Sequence, residues 1–555
     1  MSKVHAVSTS APPSTSQQPR IVRVNTLSLL YTLYNVLNLG LIPFKAYLSE
    51  PLPWALGLAS PAASLEPSTD VFATNAYTFF STTFNNATVP SLAAFTRDGP
   101  TNAYLLRYVV ALPTEGDAAC VTYMHHFPGA LFYSRAMVAF VCDFVARNAS
   151  ARTQALGYSC QHNRHVNILF SVTCTWIEPF EDARSSSYTI YHAGQQLESQ
   201  WFSWLKFIVR CGLSGFILHA IWHRYYRHYI PLVKSLRTVG IHLNCRRYTI
   251  EMGDPTWLIL SHPFVSCMMA VDTIVNIGYG VIATNRGSQV TNVVEFGLGC
   301  FYGSRTVWAA YMTMRFATPF IKFMHWEEYF EPVDAGLMAL TASIQAGPVW
   351  YVLTRTRAVW AFQWLHSTAV PMAIQPHATE GSPGFLTFLA IMVSIPLVNS
   401  MVSQWFTRRR KKHTPCPISK FASVRFNDWK HRLLLHWHHR RRYDGQQVRG
   451  GTMYQLFETN PRYKQFPLVS TRGSDCFVVS WDEVTNERCQ IRLSLLHALD
   501  FQPKSPQIAI RRCPIDHASS SMGYFDHKLC GPTTSPCPHT VKVVHLGANH
   551  CQWVA

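Results

Sequence analysis

Charged residues are scarce in this sequence. Only 14% of its 555 residues are Asp, Glu, Lys or Arg, against about 25% in an ordinary soluble protein, whereas 48% are hydrophobic. This composition argues against a wholly soluble protein. The mean hydropathy of +0.03 is still lower than a chain lying entirely in lipid would have. We therefore expect membrane-embedded segments to alternate with segments that face water.

Recognisable catalytic motifs are also missing. The sequence contains no GxSxG, no GxxxxGK[ST], no HExxH and no deaminase-type HxE followed by PCxxC. Cysteines and histidines are plentiful after Cys513, but they lack the ordered C-x2-C pairs that are typical of zinc sites. We therefore name no catalytic residue and expect no metal and no cofactor. An integral-membrane enzyme is the least favoured of three hypotheses.

Long apolar stretches are what the sequence does have. The first, Val24–Phe44, is 21 residues without a charge, which as a helix is about 31 Å long and matches a bilayer core. A cleaved signal peptide ending near Ala59 is the alternative for this stretch. The pattern predicts an α-helical polytopic membrane protein with about six transmembrane helices, at 24–44, 201–222, 257–283, 296–314, 335–354 and 385–406.

The charges are unevenly distributed along the chain. Residues 46–200 contain seven Arg, no Lys and eleven acidic residues, a net charge of −4, whereas residues 407–555 have a net charge of +13. Lys and Arg are enriched in cytoplasmic segments beside anionic lipid. We therefore predict an extracytoplasmic domain at 46–200 and two cytosolic termini. The membrane is predicted to be the plasma membrane or an endomembrane.

The predicted extracytoplasmic domain has two further features of a translocated segment. Four cysteines can form two disulfides in any of three pairings, and two Asn-X-Ser/Thr sequons are glycosylation candidates. Chance could account for two sequons in a chain of this length, so the interpretation depends on agreement with the charge and the even number of cysteines. The candidates are Cys120, Cys142, Cys160, Cys174, Asn86 and Asn148.

The remaining segments are assigned from composition and periodicity. Residues 1–23 are predicted to be a disordered cytosolic segment. Residues 355–384 are an outer loop with either a re-entrant helix or, as we favour, an interfacial helix anchored by Trp. Residues 408–442 are predicted to be a basic amphipathic segment, and residues 450–555 a small α+β cytosolic domain. The predicted contacts with anionic inner-leaflet lipid are Arg408, Arg409, Arg410, Lys411, Lys412, Trp429, Trp437, Arg440, Arg441 and Arg442.

Several polar or small residues interrupt the apolar stretches. Asp272 and Arg305 are predicted to lie at similar depths in an antiparallel helix hairpin and to pair, either as a structural ion pair, which we favour, or as part of a transport path. Lys206 and Arg210 are expected to extend towards the lipid headgroups. Gly299 and Gly303 form a GxxxG that allows close helix packing.

Two main functional hypotheses follow. The first is a channel or transporter for ions or small solutes, motivated by Asp272, Arg305 and the Trp-rich loop; its layout resembles that of polycystin-type channels in arrangement only, without a shared motif. The alternative is a receptor or scaffold with a ligand-binding outer domain and a basic tail that holds lipid or a partner. The lipid bilayer is the expected partner, a homo-oligomer is left open, and no nucleic acid is expected.

Overall fold

The fold is known from a computed structural model. It describes residues 20–57, 69–85, 87–90, 93–113, 120–154, 156–180, 187–238, 240, 245–368, 376–413, 448–450, 464–470, 472–482, 488–495, 508–512, 523–529, 540–545, 551 and 553–554.

These residues form helices and two β-sheets. The α-helices are α1 Thr26–Gly40, α2 Thr69–Thr83, α3 Cys120–Tyr123, α4 Arg135–Ala146, α5 Ala149–Gln154, α6 Gln200–Arg224, α7 Tyr229–Thr238, α8 Thr256–Leu260, α9 Pro263–Val275, α10 Ile277–Gly287, α11 Val293–Gly303, α12 Val307–Phe323, α13 Ala335–Ile344, α14 Trp350–Thr354, α15 Ala358–Thr368 and α16 Ser382–His413. The strands are β1 Ile21–Val24, β2 Phe95–Asp98, β3 Ala103–Ala111, β4 Tyr158–His165, β5 Ile168–Pro179, β6 Ser187–Gln196, β7 Cys245–Glu251, β8 Ala378–Glu380, β9 Val448–Gly450, β10 Cys476–Asp482, β11 Arg488–Leu495, β12 Ile508–Arg512, β13 Gly523–Leu529, β14 Thr540–His545 and β15 Trp553–Val554.

Each sheet is assembled from distant parts of the chain. The terminal sheet contains β1, β7 and β9–β15, in the order β1-β7-β10-β11-β15-β14-β13-β12 with β9 beside β11. The disulfide sheet has the order β2-β3-β6-β5-β4-β8. In the terminal sheet, β1 pairs with β7 in parallel, which places residue 21 opposite residue 247. In the disulfide sheet, β8 pairs with β4 in parallel.

Successive helical passes run between the two sheets. Helix α1 follows a strand of the terminal sheet, and α6 leads from the disulfide sheet back to β7. The loop after α10 contacts the disulfide sheet, where Ser288 Oγ lies 3.2 Å from Tyr108 Oη of β3. The loop before α13 returns to the terminal side, where Val333 N donates to Leu468 O at 3.0 Å. After α13 and α14 the chain reaches β8, and α16 then runs back to the loop before α13, where Ser400 Oγ donates to the carbonyl of Glu331.

The helical passes are less regular than the sequence predicts. By length and composition, three described helices are long and apolar enough to cross a bilayer, and five if each of two bent pairs counts as one span. The predicted helix 24–44 ends at Gly40 and turns by 71° into a second helical segment, Pro43–Ala55. The predicted helix 257–283 is divided into α8, α9 and α10, with a bend of 75° between the last two.

The other four predicted helices also differ in their bounds or regularity. The predicted helix 201–222 lies within α6. The predicted helix 296–314 is divided between α11 and α12 by a 3-10 turn, and 335–354 between α13 and α14 by a π-helical turn at 345–349. The helix predicted at 385–406 extends over 382–413. Pro348 lies inside the π-turn, where its missing N–H and its ring disfavour a regular α-helix.

Two assignments made from composition need correction. The segment predicted to be disordered, 1–23, ends in strand β1, because residues 21–24 find backbone partners in β7. The predicted cytosolic domain 450–555 is not a separate unit, since its strands continue the sheet that contains β1 and β7. Helix α7 also packs on this sheet, where Leu232 and Leu236 lie in one core with Val478 and Trp553. Tertiary pairing therefore joins segments that local sequence patterns treat as independent.

Helix α15, predicted as a re-entrant or interfacial element, packs against the segment before α4. Gln363 Nε2 donates to the carbonyl of Ala130 at 2.6 Å, and His366 Nδ1 lies 3.1 Å from the carbonyl of Leu131. Burial lowers the pKa of His366 to about 4, so its ring is neutral at pH 7. The helix is thus attached to the domain that follows α1.

Candidate functional site: a buried charge network beside an apolar cleft

Glu50 is the centre of a buried network of charges. Its side chain is 0% exposed, and it follows the bend after α1. One of its oxygens accepts from Arg210 Nη1 at 2.7 Å and lies 3.3 Å from Lys206 Nζ. The other accepts from Tyr302 Oη at 2.6 Å and from Arg305 Nη1 at 3.1 Å. A single carboxylate therefore joins the first bent helix to α6 and to the turn after α11.

Asp272 forms the second acidic node. It lies on α9 and accepts from Arg210 Nη2 at 3.0 Å and from Asn276 Nδ2 at 3.2 Å. Arg305 Nη2 also donates to this carboxylate, so the structure brings together the pair that the sequence singled out. Because both arginines contact both Glu50 and Asp272, the pair is part of a larger cluster.

The network is balanced in charge. Lys206 Nζ donates to Glu198 at 2.7 Å and to Asn276 at 2.8 Å, which adds a third carboxylate to the three cations. A neighbouring pair, Arg286 and Glu295, has a separation of 2.6 Å. Burying charge is favourable only when partners and hydrogen bonds replace water, and this cluster supplies both.

The expectation for Lys206 and Arg210 was wrong. Both were predicted to extend to the headgroups, but their side chains are only 6% and 2% exposed because Glu50, Glu198 and Asp272 bind them within the helices. Glu50 itself was not recognised. The available signal was that two cations lay inside one apolar stretch without a local partner, which calls for an acid from another segment.

An apolar cleft lies beside this network. Its volume is about 950 Å³, part of which is open to the surroundings, and it is bounded by the domain between α1 and α6 on one side and by the helices on the other. None of the described residues that line it carries a charge at pH 7. Tyr302 belongs to both features, since its ring lines the cleft while its hydroxyl binds Glu50. Residues that define the walls are Leu131, Phe170, Val281, Trp350, Phe385 and Phe388.

Helix irregularities and small residues create the space. The bend between α9 and α10 falls at Asn276, and α10 then places Gly280 on the wall of the cleft. A Cβ atom at Gly280 would meet no heavy atom of the described residues within 4 Å. The π-turn at 345–349 contributes Ala346. Both helix irregularities therefore place a small residue on the wall of the cleft.

The two predicted packing glycines lie at close helix contacts. A Cβ at Gly299 would come within 2.7 Å of the carbonyl oxygen of Ala283 on α10. A Cβ at Gly303 would come within 2.8 Å of the Ala346 Cβ. These separations are shorter than ordinary van der Waals contact, so a side chain at either position would push the helices apart.

The structure pairs the cysteines of the predicted outer domain as Cys120–Cys142 and Cys160–Cys174. The second disulfide links β4 to β5 directly. Asn148 is exposed and caps α5, with its Oδ1 accepting from Ala151 N at 2.9 Å, whereas Asn86 lies outside the described residues.

The structure describes the backbone of only some of the predicted lipid-contact residues. Residues 408–412 continue α16 but their side chains are not described, and Trp429, Trp437, Arg440, Arg441 and Arg442 lie outside the described residues. Within the described part of the chain, no group of three or more His, Cys, Asp or Glu residues is arranged to hold a metal.

In comparisons with known proteins, the chain matches no family model, no curated protein sequence and no solved structure. Function is therefore inferred from the charge network and the cleft.

Proposed function

We propose that this protein is a multi-pass membrane receptor that binds a ligand bearing a hydrocarbon chain in the cleft beside the charge network. The observation that carries the proposal is the cleft itself, a partly open space of about 950 Å³ whose described lining is mainly apolar and contains no charged residue. Ligand sites are typically concave and mainly apolar, with a few polar groups that orient the ligand.

Exposed apolar side chains support the membrane assignment. Large hydrophobic residues on α1 point away from the protein, with Leu30, Leu33 and Leu37 at 60%, 56% and 56% exposed. Helix α16 shows the same feature at Leu386 and Val398. Soluble monomers rarely expose contiguous apolar surface of this kind, whereas lipid-facing helices require it.

Glycosylation provides a test of the proposed topology. In eukaryotic cells we expect Asn148 to carry a glycan, because it is exposed on the domain between α1 and α6. Asn148→Gln should then migrate faster in gel electrophoresis, by the mass of one glycan. The matched variant Ser150→Ala, which destroys the same sequon, should do likewise.

A sequon appended after Ala555 serves as the opposite control and should stay unmodified, since the six predicted spans would return the chain to the first side. Glycosylation of both sites, or of the appended site alone, would contradict the proposed topology.

The charge network favours a structural role over a transport path. Asp272 and Arg305 do not line the cleft, although their neighbours Thr273 and Thr306 do. Their polar groups are directed to each other and to Glu50 and Arg210. Buried ion pairs often fix one conformation, and here the pairs hold four helical segments behind the wall of the cleft. The hypothesis of a channel or transporter stays a prediction from the sequence, with no further support from this geometry.

Filling the cleft should abolish ligand binding. Gly280→Phe places a ring into open space on a helix, where replacing glycine also favours the helical backbone. Oleyl alcohol is a suitable neutral probe for the full-length protein in nanodiscs. If the new ring displaces only two methylene groups of the probe from the cleft, at about 0.8 kcal/mol each, the affinity falls about tenfold. We therefore expect Gly280→Phe to lower the affinity at least about tenfold.

Gly215→Phe is the matched control for this experiment. Gly215 lies on α6, is exposed, does not line the cleft, and has no heavy atom of the described residues within 4 Å of a Cβ. We expect this variant to bind the probe as the unsubstituted protein does. Equal binding by Gly280→Phe and Gly215→Phe, or no saturable binding by the unsubstituted protein, would contradict the proposal.

A further inference from the structure

A second pocket lies next to the cleft along two helices. On α10, Ile277, Val281 and Thr284 line the cleft, and Ser288, four residues further on, lines the pocket. These spacings of three and four residues keep all of them on one helix face. On α14, Trp350 lines the cleft and Thr354 lines the pocket. The pocket therefore lies about 6 Å beyond the cleft along both helices.

This pocket differs from the cleft in its charge. Its volume is about 280 Å³, part of which is open to the surroundings, and it is lined by Arg355, the residue that follows α14, together with Tyr108 and His125. No Asp or Glu is among the described residues that line it. The Arg355 guanidinium lies 5.4 Å from the centre of the Tyr108 ring and 5.8 Å from that of Tyr351, and its Nη2 donates to Ser288 O over a long distance of 3.4 Å.

Arg355 is the cation that a ligand would meet. Among the described residues, no carboxylate lies within ion-pair distance of it. Burial and the charge of Arg355 lower the pKa of His125, so this ring is neutral at pH 7 and can only donate or accept a hydrogen bond. The pocket thus offers one positive charge with planar donor geometry, which suits a single carboxylate.

We propose that the ligand is a long-chain carboxylate of the fatty-acid type, with its head in the Arg355 pocket and its chain in the cleft. Leu131 lines both spaces, so the pocket and the cleft lie side by side at this residue. The charge complementarity comes from Arg355, and the small pocket with a single cation favours a carboxylate over a bulky phospholipid head. This inference rests on the proposed function, because it names the class of ligand for the same cleft.

Direct comparison of two ligands with the same chain tests the assignment. Binding of oleate and of oleyl alcohol is measured with the full-length protein in nanodiscs, with empty nanodiscs subtracted. We expect oleate to bind at least tenfold more tightly, because only oleate forms a charge-assisted hydrogen bond. We expect Arg355→Gln to abolish this preference while the affinity for the alcohol stays unchanged. Arg357→Gln, an exposed neighbour, should leave the preference intact.

Each outcome separates the two proposals. Equal binding of oleate and oleyl alcohol by the unsubstituted protein overturns the head assignment and leaves the cleft in place. A preference for oleate that survives Arg355→Gln overturns the role of Arg355, and tighter binding of phosphatidic acid than of oleate overturns the carboxylate assignment. Binding of neither ligand overturns the proposed function as well. Retained binding of the alcohol by Arg355→Gln shows that the variant is folded.

Discussion

Replacing Glu50 by Gln should lower the free energy of unfolding by about 3–5 kcal/mol, the range observed when one partner of a buried ion pair is removed. Glu50 is fully buried and contacts Lys206, Arg210 and Arg305. A glutamine of nearly the same shape keeps an oxygen for some of these donors but removes the negative charge. Three buried cations would then share two carboxylates, Asp272 and Glu198.

Chemical denaturation of the purified protein in detergent measures this effect. Glu178→Gln is a matched control, because Glu178 is exposed, and its carboxylate accepts a hydrogen bond from Trp176 Nε1 at 3.2 Å. We expect this control to change the free energy of unfolding by less than about 1 kcal/mol. Equal stability of the two variants would show that Glu50 does not hold the network together.

A second substitution shows whether Glu50→Gln destabilises the protein through the lost charge balance or through the changed shape of the side chain. Adding Lys206→Met to Glu50→Gln restores two cations against two carboxylates, so the double variant should recover part of the lost stability. If the losses of the two single variants simply add, the two side chains do not act within one network.

The network shows how far sequence reasoning reaches. Asp272 and Arg305 could be singled out because each interrupts an apolar stretch and the hairpin register places both at one depth. Glu50 gave no such signal, since it lies among Pro43, Pro51 and Pro53, outside any apolar stretch. Only the 71° turn after α1 brings it back against α6, and its partners lie 156 to 255 residues away. Contacts of this range are set by the packing of whole helices.

The terminal sheet is the second example. The sequence predicts two strands, at 477–481 and 489–493, because residues with high β-propensity lie on both sides of a predicted turn at 482–487. Strand β1 has only four residues, and its partner β7 is more than 200 positions away. Nothing in a local window distinguishes Ile21–Val24 from the start of the apolar helix that follows it. The disulfide sheet also gains a strand, β8, from the loop that was assigned from its aromatic residues alone.

Replacing Trp553 by Ala should destabilise the terminal sheet by about 3–5 kcal/mol, the usual effect of truncating a buried Trp. Trp553 is fully buried, and its Nε1 donates to the carbonyl of His228 at 2.9 Å. Its ring packs on Tyr229, with centroids 4.9 Å apart. These contacts attach strand β15 to the helical segment after α6, so their loss removes both apolar burial and a buried hydrogen bond.

Hydrogen exchange of the full-length protein in detergent gives the local measurement. The amides of β7 and β10 should exchange faster in Trp553→Ala, because both strands share a core with Trp553, while the amides of the disulfide sheet should keep their protection. Trp481→Ala is the matched control in the same sheet, since Trp481 is 40% exposed and its truncation removes less buried surface. Unchanged exchange of β7 in Trp553→Ala would mean that the last strand does not support the sheet. Faster exchange there would show that β15 and β7 belong to one cooperative unit.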